Sequence, residues 1–307
     1  MRVAVCVITC RRPEGLARLL EGLNRLEFTG QEPEIRCLVV DNESRGQAGQ
    51  VCERLKAGYR WVLECYEEPR RGIPFARNTA VARAGADVDC IAFIDDDEVP
   101  EPNWLDELLR VMQQYDADVT AGPVLSDFEE PPPEWAVRGR FYDRARFPTG
   151  TVRDRAFTGN ILFRRRVFDA MDRHFDESMA LIGGSDSHFL QRVHRAGFKI
   201  VWADEAVATE SVPASRVSAG WLLRRSFRYG ATTAYILFDL RSRPMAVALL
   251  LLNGVNRVVR GAALLLVTGL FGRHRRISSL RHIWYGSGLL AGLFGKYHHE
   301  YEKTHGS

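Results

Sequence analysis

The sequence has no Cys-X-X-Cys pair, and none of its six cysteines lies beyond residue 90. A thiol-ligated zinc centre is disfavoured on that ground. Cys6, Cys10, Cys37, Cys52, Cys65 and Cys90, several of them inside apolar runs, read as reduced core thiols of a cytosolic protein. No Gly-X4-Gly-Lys-Ser/Thr segment occurs, which excludes a P-loop enzyme. The opening run MRVAVCVIT carries no cleavable signal pattern, so the chain is expected to stay inside the cell. With 26 Gly and 13 Pro, 46% hydrophobic and 26% charged residues, collagen, disorder and disulfide scaffolds are excluded as well. The 307 residues allow one large α/β domain, or a domain of roughly 200 residues with an appendage. Acidic residues almost vanish from the C-terminal third. Residues 212–307 hold 3 Asp+Glu against 14 Lys+Arg, a balance of +11, whereas residues 1–211 hold 36 against 28, a balance of −8. Basic tails bind nucleic acid or anionic lipid. Here aliphatic residues interleave the charges, so no nucleic-acid partner is expected.

What is present is an alternation. Val3–Thr9 is an apolar run, and Pro13–Leu26 places Leu16, Leu19, Leu20 and Leu23 at helical spacing. Arg36–Asp41, Tyr59–Cys65 and Cys90–Asp95 read as further strands, with helices over Gln50–Lys56 and Pro74–Ala84 between them. Near-continuously apolar strands separated by amphipathic helices predict an α/β fold, Rossmann-like, with a mostly parallel sheet covered on both faces. Ligands of such sheets bind beyond the carboxyl ends of the strands. Polar residues cluster there at Thr9–Arg12, Asp41–Ser44 and Asp95–Glu98. Residues 126–156, rich in Pro, charge and aromatics and without a period, read as an irregular functional loop on the acceptor side. Asn160–Phe163 and Lys199–Trp202 then read as strands around a helix over Ser185–Ala196. The expected division is a body over residues 1–220 and a basic, amphipathic helical tail over residues 221–307.

Phe93-Ile94-Asp95-Asp96-Asp97-Glu98 is an apolar strand running into carboxylates. Adjacent carboxylates repel one another unless a cation or donors sit among them. A hard divalent ion bridging two phosphate groups is the natural occupant, and a solvated acidic turn is the alternative. For Asp186, in Gly183-Gly184-Ser185-Asp186 before an amphipathic helix, the local sequence by itself supports helix capping.

The ordered set Thr9-Cys10-Arg11-Arg12-Pro13, Val39-Val40-Asp41-Asn42-Glu43-Ser44, Gly72-Ile73-Pro74-Phe75-Ala76-Arg77-Asn78 and Asp95-Asp96-Asp97-Glu98 resembles the family 2 glycosyltransferases with the GT-A fold. Phe157-Thr158-Gly159-Asn160, Arg164-Arg165 and Gly183-Gly184-Ser185-Asp186-Ser187-His188-Phe189 continue it, over roughly residues 1–225. The sequence is similar in particular to bacterial enzymes that build exopolysaccharides and other surface glycans. The resemblance implies transfer of one sugar from a nucleotide-sugar, a UDP-sugar first of all, to a glycan acceptor, with inversion and with Mn2+ or Mg2+. It implies that Thr9 and Arg11 line the nucleotide pocket, that Asp41 hydrogen-bonds the nucleobase, and that Arg77 approaches the ribose or the phosphates. Asp95 would meet ribose or sugar hydroxyls, Asp97 the metal, and Asp96 would share either task. Asp186 is the implied base that deprotonates the acceptor hydroxyl, although the family's frequent Glu-Asp is here Ser185-Asp186. Asn160 and Trp135 are assigned to the acceptor sugar. Trp135 and Phe141 either stack on that sugar or pack at a hinge. Glu210, where many relatives carry His, is either a second metal ligand or a solvated loop acid; His188 reads as a helix-face residue. The processive motif Gln-X-X-Arg-Trp is absent, which favours one sugar per encounter.

In the tail, Trp221–Leu240 reads as a basic helix. Met245–Gly272 is strongly apolar but interrupted by Asn253, Asn256, Arg257 and Arg260, so that neither half reaches the roughly 20 apolar residues of a bilayer crossing. Two arginines near a bilayer centre would also be costly. Ser279–Lys296 repeats the mixture with Trp284 and Tyr285. Apolar faces bordered by Arg, Trp and Tyr predict helices lying in the interface of an anionic membrane; a packed helical subdomain and a true span are the other readings. The expected location is cytoplasmic, peripheral on the inner face of the cell membrane, with the acceptor on a polyprenyl diphosphate. Arg224, Arg225 and Arg228 would then meet an acceptor pyrophosphate or lipid headgroups. Two other functions compete. A sugar-nucleotide nucleotidyltransferase wants a glycine-rich basic loop after the first strand, and Thr9–Pro13 contains no glycine. A non-catalytic nucleotide- or sugar-binding accessory protein would have no need of Asp95, Asp97 and Asp186 together.

Overall fold

The computed structural model describes residues 1–43, 46–268 and 270–296. Its first half runs β1 (Arg2–Thr9), α1 (Pro13–Asn24), β2 (Glu34–Asp41), α2 (Gln47–Lys56), β3 (Val62–Glu67), α3 (Ile73–Ala84) and β4 (Cys90–Asp95). The middle comprises β5 (Glu98–Pro100), α4 (Trp104–Gln114), β6 (Val119–Ala121), β7 (Val124–Phe128), α5 (Glu134–Arg138), β8 (Val152–Arg153), β9 (Asn160–Arg164), α6 (Arg165–Ala170), α7 (Ser185–Arg195), β10 (Ile200–Trp202) and β11 (Ala208–Val212). Three long helices follow: α8 (Ala219–Leu240), α9 (Arg243–Thr268) and α10 (Arg273–Gly292).

The main sheet has the order β3-β2-β1-β4-β9-β6-β10-β8. Its first four strands are parallel, in a register that sets Thr9 beside Asp41 and Ile8 beside Asp95. The expected polar strand ends therefore lie side by side. Only β9 and β8 run antiparallel to their neighbours. Alternate residues of β1 serve opposite faces. Val3, Val5 and Val7 pack with Leu16, Leu19, Leu20 and Leu23 of α1, while Ala4 and Cys6 pack with Ala76, Ala80 and Ala84 of α3. Two apolar layers around one sheet are what near-continuous hydrophobic strands require. Cys6, Cys37, Cys52 and Cys90 are buried in these layers.

A small second sheet, β5-β11-β7, stands at the edge of the strand ends and pairs Glu98 with Glu210. The segment 126–156 is more regular than its composition predicts. It contains the end of β7, the short helix α5 and the edge strand β8, held by Tyr142 and Trp135 packing onto the tail. The tail is also differently built. Residues 243–268 form one continuous helix that carries Asn253, Asn256, Arg257 and Arg260 without a break, and this helix is long and apolar enough to cross a membrane by length and composition. The three helices pack backbone to backbone through glycines. A Cβ on Gly230 would lie 2.1 Å from the Tyr285 carbonyl oxygen, and one on Gly286 would lie 2.7 Å from that of Gly254.

Candidate active site

Three loops leave the carboxyl ends of β1, β2 and β4. After β1, Arg11 takes a left-handed φ of 59°, a conformation that side-chain-bearing residues rarely adopt. The consequence is that consecutive arginines serve different partners. Arg11 Nε donates to Glu43 Oε1 at 2.5 Å, and Arg12 Nη1 bridges Asp96 Oδ1 at 2.8 Å and Asp97 Oδ2 at 2.9 Å. Thr9 Oγ1 donates to the other oxygen of Asp96 at 2.8 Å. Helix α1 can sit this close to the acidic turn because residue 15 is glycine; a Cβ there would lie 2.6 Å from the Asp96 carbonyl oxygen. Thr9, Arg11 and Asp41 line one narrow cleft together with Arg12, Glu43, Gln47 and Ala48. Burial raises the Asp41 carboxyl above its ordinary range, against the hydrogen bond it accepts from the Glu43 amide at 2.9 Å. Ser44, the last residue of that polar cluster, lies outside the described residues.

Asn42 ties the β2 loop to the start of α3. It accepts from the Gly72 amide at 2.7 Å and donates to the Glu68 and Arg70 carbonyls. This brings Arg77 of α3 under the strand ends, where Nη2 meets Asp95 Oδ1 at 3.4 Å and the buried Nε has no hydrogen-bond partner among the described residues. An under-satisfied buried guanidinium has donor capacity left for an anionic or hydroxyl group.

The acidic turn meets β11 through Arg216, which follows that strand. Its Nη1 lies 3.2 Å from Asp97 Oδ2 and 3.3 Å from Glu210 Oε1, while Arg144 pairs with the other oxygen of Glu210. Glu210 is thus neither a solvated loop acid nor remote from the turn: its carboxylate and that of Asp97 converge on one cationic nitrogen. Hard carboxylate oxygens already gathered around a cation suit Mg2+ or Mn2+. Asp97 and Glu210 are the residues that would hold such an ion, with Arg216 giving way. Arg12, Arg216 and Arg144 had no role in the sequence reading. Arg12 stood in a quoted motif, but nothing near residue 216 in the sequence announces it.

Glu98 is 2% exposed, and the only hydrogen bond of its carboxyl group among the described residues comes from the Asp95 amide at 3.2 Å. Burial, then the charges of Asp95 and Asp97, hold its carboxyl well above the usual range. Asp96 is pushed up to about 6, chiefly by burial and against the pull of Arg12. Such groups bind more protons folded than unfolded. Their stabilisation is complete below the unfolded value near pH 4 and is lost as pH rises through the folded value. For Asp96 the loss is about 3 kcal/mol at most. Without divalent ions, the Glu98→Gln variant is therefore expected to gain urea stability over the unmodified chain at pH 7 and to gain little at pH 4, a difference that paired urea titrations would read. An equal effect at both pH values would mean that Glu98 is ionised in the fold.

Asp186 lies in the first turn of α7. The N-cap is Gly184, and no side chain caps the helix, so Asp186 does not perform the capping role. Its carboxylate has no hydrogen bond or ion pair among the described residues, and it adds to the negative charge felt by Asp95. His188, two residues on, is fully buried and is no simple helix-face residue: Nε2 meets Asp239 Oδ2 of α8 at 2.7 Å. Asp176 and Asp239 are both paired to Arg173, so the Asp176, His188 and Asp239 group is a polar knot fastening α7 to the tail.

Two acceptor-side expectations are corrected. Asn160 is buried with every amide atom committed: it accepts from Trp104 Nε1 at 2.7 Å and donates to the Pro123 and Ala206 carbonyls at 2.9 and 2.7 Å. It fastens β9 to its surroundings and has nothing left for a sugar. Trp135 is buried against Trp221, Leu222 and Ile277, with the Arg273 guanidinium over its ring, so it is closed to stacking and joins the loop to the tail.

The family model described as Glycosyl transferase family 2 matches residues 4–172, more than half of the chain. This protein belongs to the family 2 glycosyltransferases. The glycosyltransferase is 31% identical over 240 residues to the succinoglycan biosynthesis protein ExoM of Rhizobium meliloti (strain 1021), covering 78% of its own length and 76% of that relative's. Among solved structures it is similar to the mannosyltransferase PcManGT of Pyrobaculum calidifontis in complex with GDP-Man and Mn2+, with a TM-score of 0.66 and 18% identity over 96% of this chain and 87% of the other. The S. aureus TarS 1–349 structure with UDP gives a TM-score of 0.56 and 16% identity over 97% and 93%. These likenesses show a shared GT-A fold.

Proposed function

We propose that this glycosyltransferase moves one sugar from a nucleotide-sugar, UDP-linked in the first instance, to a glycan acceptor held at a membrane in exopolysaccharide synthesis, with inversion and with a divalent cation. The observation that carries the reading is the convergence of the β1, β2 and β4 loops. A narrow cleft lined by Thr9, Arg11 and Asp41 adjoins carboxylates already arranged around cations, and the Asp186 carboxylate, without a hydrogen bond or ion pair among the described residues, lies within electrostatic reach of Asp95. The relative ExoM adds the pathway, and the neighbours bound to GDP-Man with Mn2+ and to UDP add the ligand class.

Asp41 accepts the imide N–H of uracil, Arg11 borders the nucleotide, and Arg77 turns its spare donors to ribose or phosphate. Asp95 takes hydroxyls of ribose or sugar. Asp96, tied to Thr9 and Arg12, holds the turn in place rather than touching substrate. Asp97 and Glu210 hold the cation, which when bound supplies Lewis-acid stabilisation of the departing diphosphate. Asp186 accepts the proton of the acceptor hydroxyl as that oxygen attacks the anomeric carbon.

Calorimetric titration with UDP tests the donor half. Binding is expected with Mn2+, with a loss of at least about tenfold without it, and Asp97→Asn should remove the metal dependence. Absence of UDP binding in both conditions would overturn the uridine assignment, and GDP would then be the next ligand to titrate.

A further inference from the structure

A cleft opens between β11, the loop around Tyr142 and helices α8 and α10, and shares Glu210 and Arg216 with the acidic turn. Four arginines, Arg144, Arg216, Arg225 and Arg281, line it against two carboxylates, Asp143 and Glu210. Both carboxylates are already taken. Glu210 pairs with Arg144 and Arg216, and Asp143 lies 2.7 Å from Arg140. Among the described residues, Arg225 and Arg281 have no ion pair.

These two are nevertheless held in fixed positions. Arg225 Nε donates to Tyr229 Oη at 2.6 Å, with its guanidinium 4.7 Å from the Trp221 ring centre. Arg281 Nε donates to Ser226 Oγ at 3.3 Å, with its guanidinium 5.2 Å from the Phe141 ring centre. Burial, and after it the charge of Arg225, lowers the pKa of Arg281. Two part-buried like charges kept close together without a counter-charge are unfavourable unless an anion joins them. Planar guanidinium forks select phosphate oxygens.

We infer that this cleft is the subsite for the diphosphate of an isoprenoid-linked acceptor, with Arg225 and Arg281 holding the phosphates and the part-exposed rings of Tyr142 and Phe141 flanking the first isoprene unit. The inference rests on the transferase reading above, because the acceptor sugar must reach from this diphosphate past Arg216 to the donor site. A recessed cleft fits a single extended ligand better than a bilayer headgroup layer. Headgroups have other cations to meet, Arg224, Arg260, Arg273 and Arg275, all exposed on the tail.

The test is calorimetric titration of the full chain in detergent micelles with geranyl diphosphate, and separately with UDP plus Mn2+. Saturable geranyl diphosphate binding is expected. Arg225→Gln/Arg281→Gln should weaken it at least about tenfold, while Arg225→Lys/Arg281→Lys retains most of it and both double variants bind UDP as before. Retained UDP binding also shows that the variants are folded. Unchanged geranyl diphosphate affinity in the glutamine variant, or no saturation by 1 mM ligand on the order of weak binding, would overturn the assignment. So would a glutamine variant that loses only its binding to phosphatidylglycerol vesicles, since the pair would then serve headgroups. If UDP fails to bind while geranyl diphosphate binding still depends on Arg225 and Arg281, the donor reading falls and the cleft assignment stands.

Discussion

Asp186→Asn is expected to lower the rate of sugar transfer by about 10³-fold while leaving metal-dependent UDP affinity within about twofold. The substitution removes a proton acceptor and little else. The side chain makes no hydrogen bond or ion pair among the described residues, it does not cap α7, and asparagine occupies nearly the same volume. A stability change beyond a few tenths of a kcal/mol would therefore be surprising for such a surface-facing polar position. The contrast with Asp97→Asn separates the roles, because that change strikes the cation and the diphosphate it neutralises. Single-turnover transfer and UDP titration on both variants form the measurement. Equal loss of UDP binding in the two would place Asp186 with the donor and leave the base unassigned. Retained transfer in Asp186→Asn would show that another group takes the proton.

The parallel half of the sheet was legible because its signals are local. Strand periodicity set Thr9, Asp41 and Asp95 at neighbouring strand ends, and the structure places those ends side by side. The counter-ions were not legible. Arg12 acts on carboxylates 84 and 85 positions away, and Arg216 reaches Asp97 across 119. The first pairing depends on β1 lying beside β4 and the second on β11 returning beside β5, and no short window of sequence records either neighbour. Asn160 misled for a related reason: its motif context suggested substrate, whereas its partners, Trp104, Pro123 and Ala206, come from three separate segments. The tail was read as an appendage. In the structure, the His188–Asp239 bond fastens it to α7, and Gly184 approaches Thr232 so closely that a Cβ would lie 2.3 Å from its methyl group. Helix α8 therefore braces the turn that presents Asp186, which makes the tail part of the site's support as well as a surface.

That surface carries the other large expected effect. Leu252, Val259 and Leu266 recur every seven residues on α9 and are 69%, 60% and 84% exposed, with Val255 and Leu251 beside them. The buried stripe of the same helix, Ala246, Leu250, Gly254 and Gly261, faces α10, while Asn253, Asn256 and Arg260 lie between the two stripes. A helix with one apolar side packed on protein, a second apolar side in solvent and a polar border of two asparagines and an arginine suits the plane of a membrane interface. Its length would permit a crossing, but the polar border runs through its middle and would have to enter the hydrocarbon. Leu252→Glu/Val259→Glu/Leu266→Glu is expected to lower partitioning onto phosphatidylglycerol-containing vesicles by at least about 100-fold. Each lost side chain forfeits about 1.5–3 kcal/mol of burial, and each new carboxylate is repelled by the anionic surface. UDP affinity should not change, since none of the three positions touches the donor cleft. Vesicle sedimentation reads the first effect, and alkaline carbonate extraction of membranes separates a chain that lies on the bilayer, which is released, from one that crosses it. Unchanged sedimentation of the triple variant would remove the membrane from the proposed function and leave the exposed stripe of α9 to a protein partner.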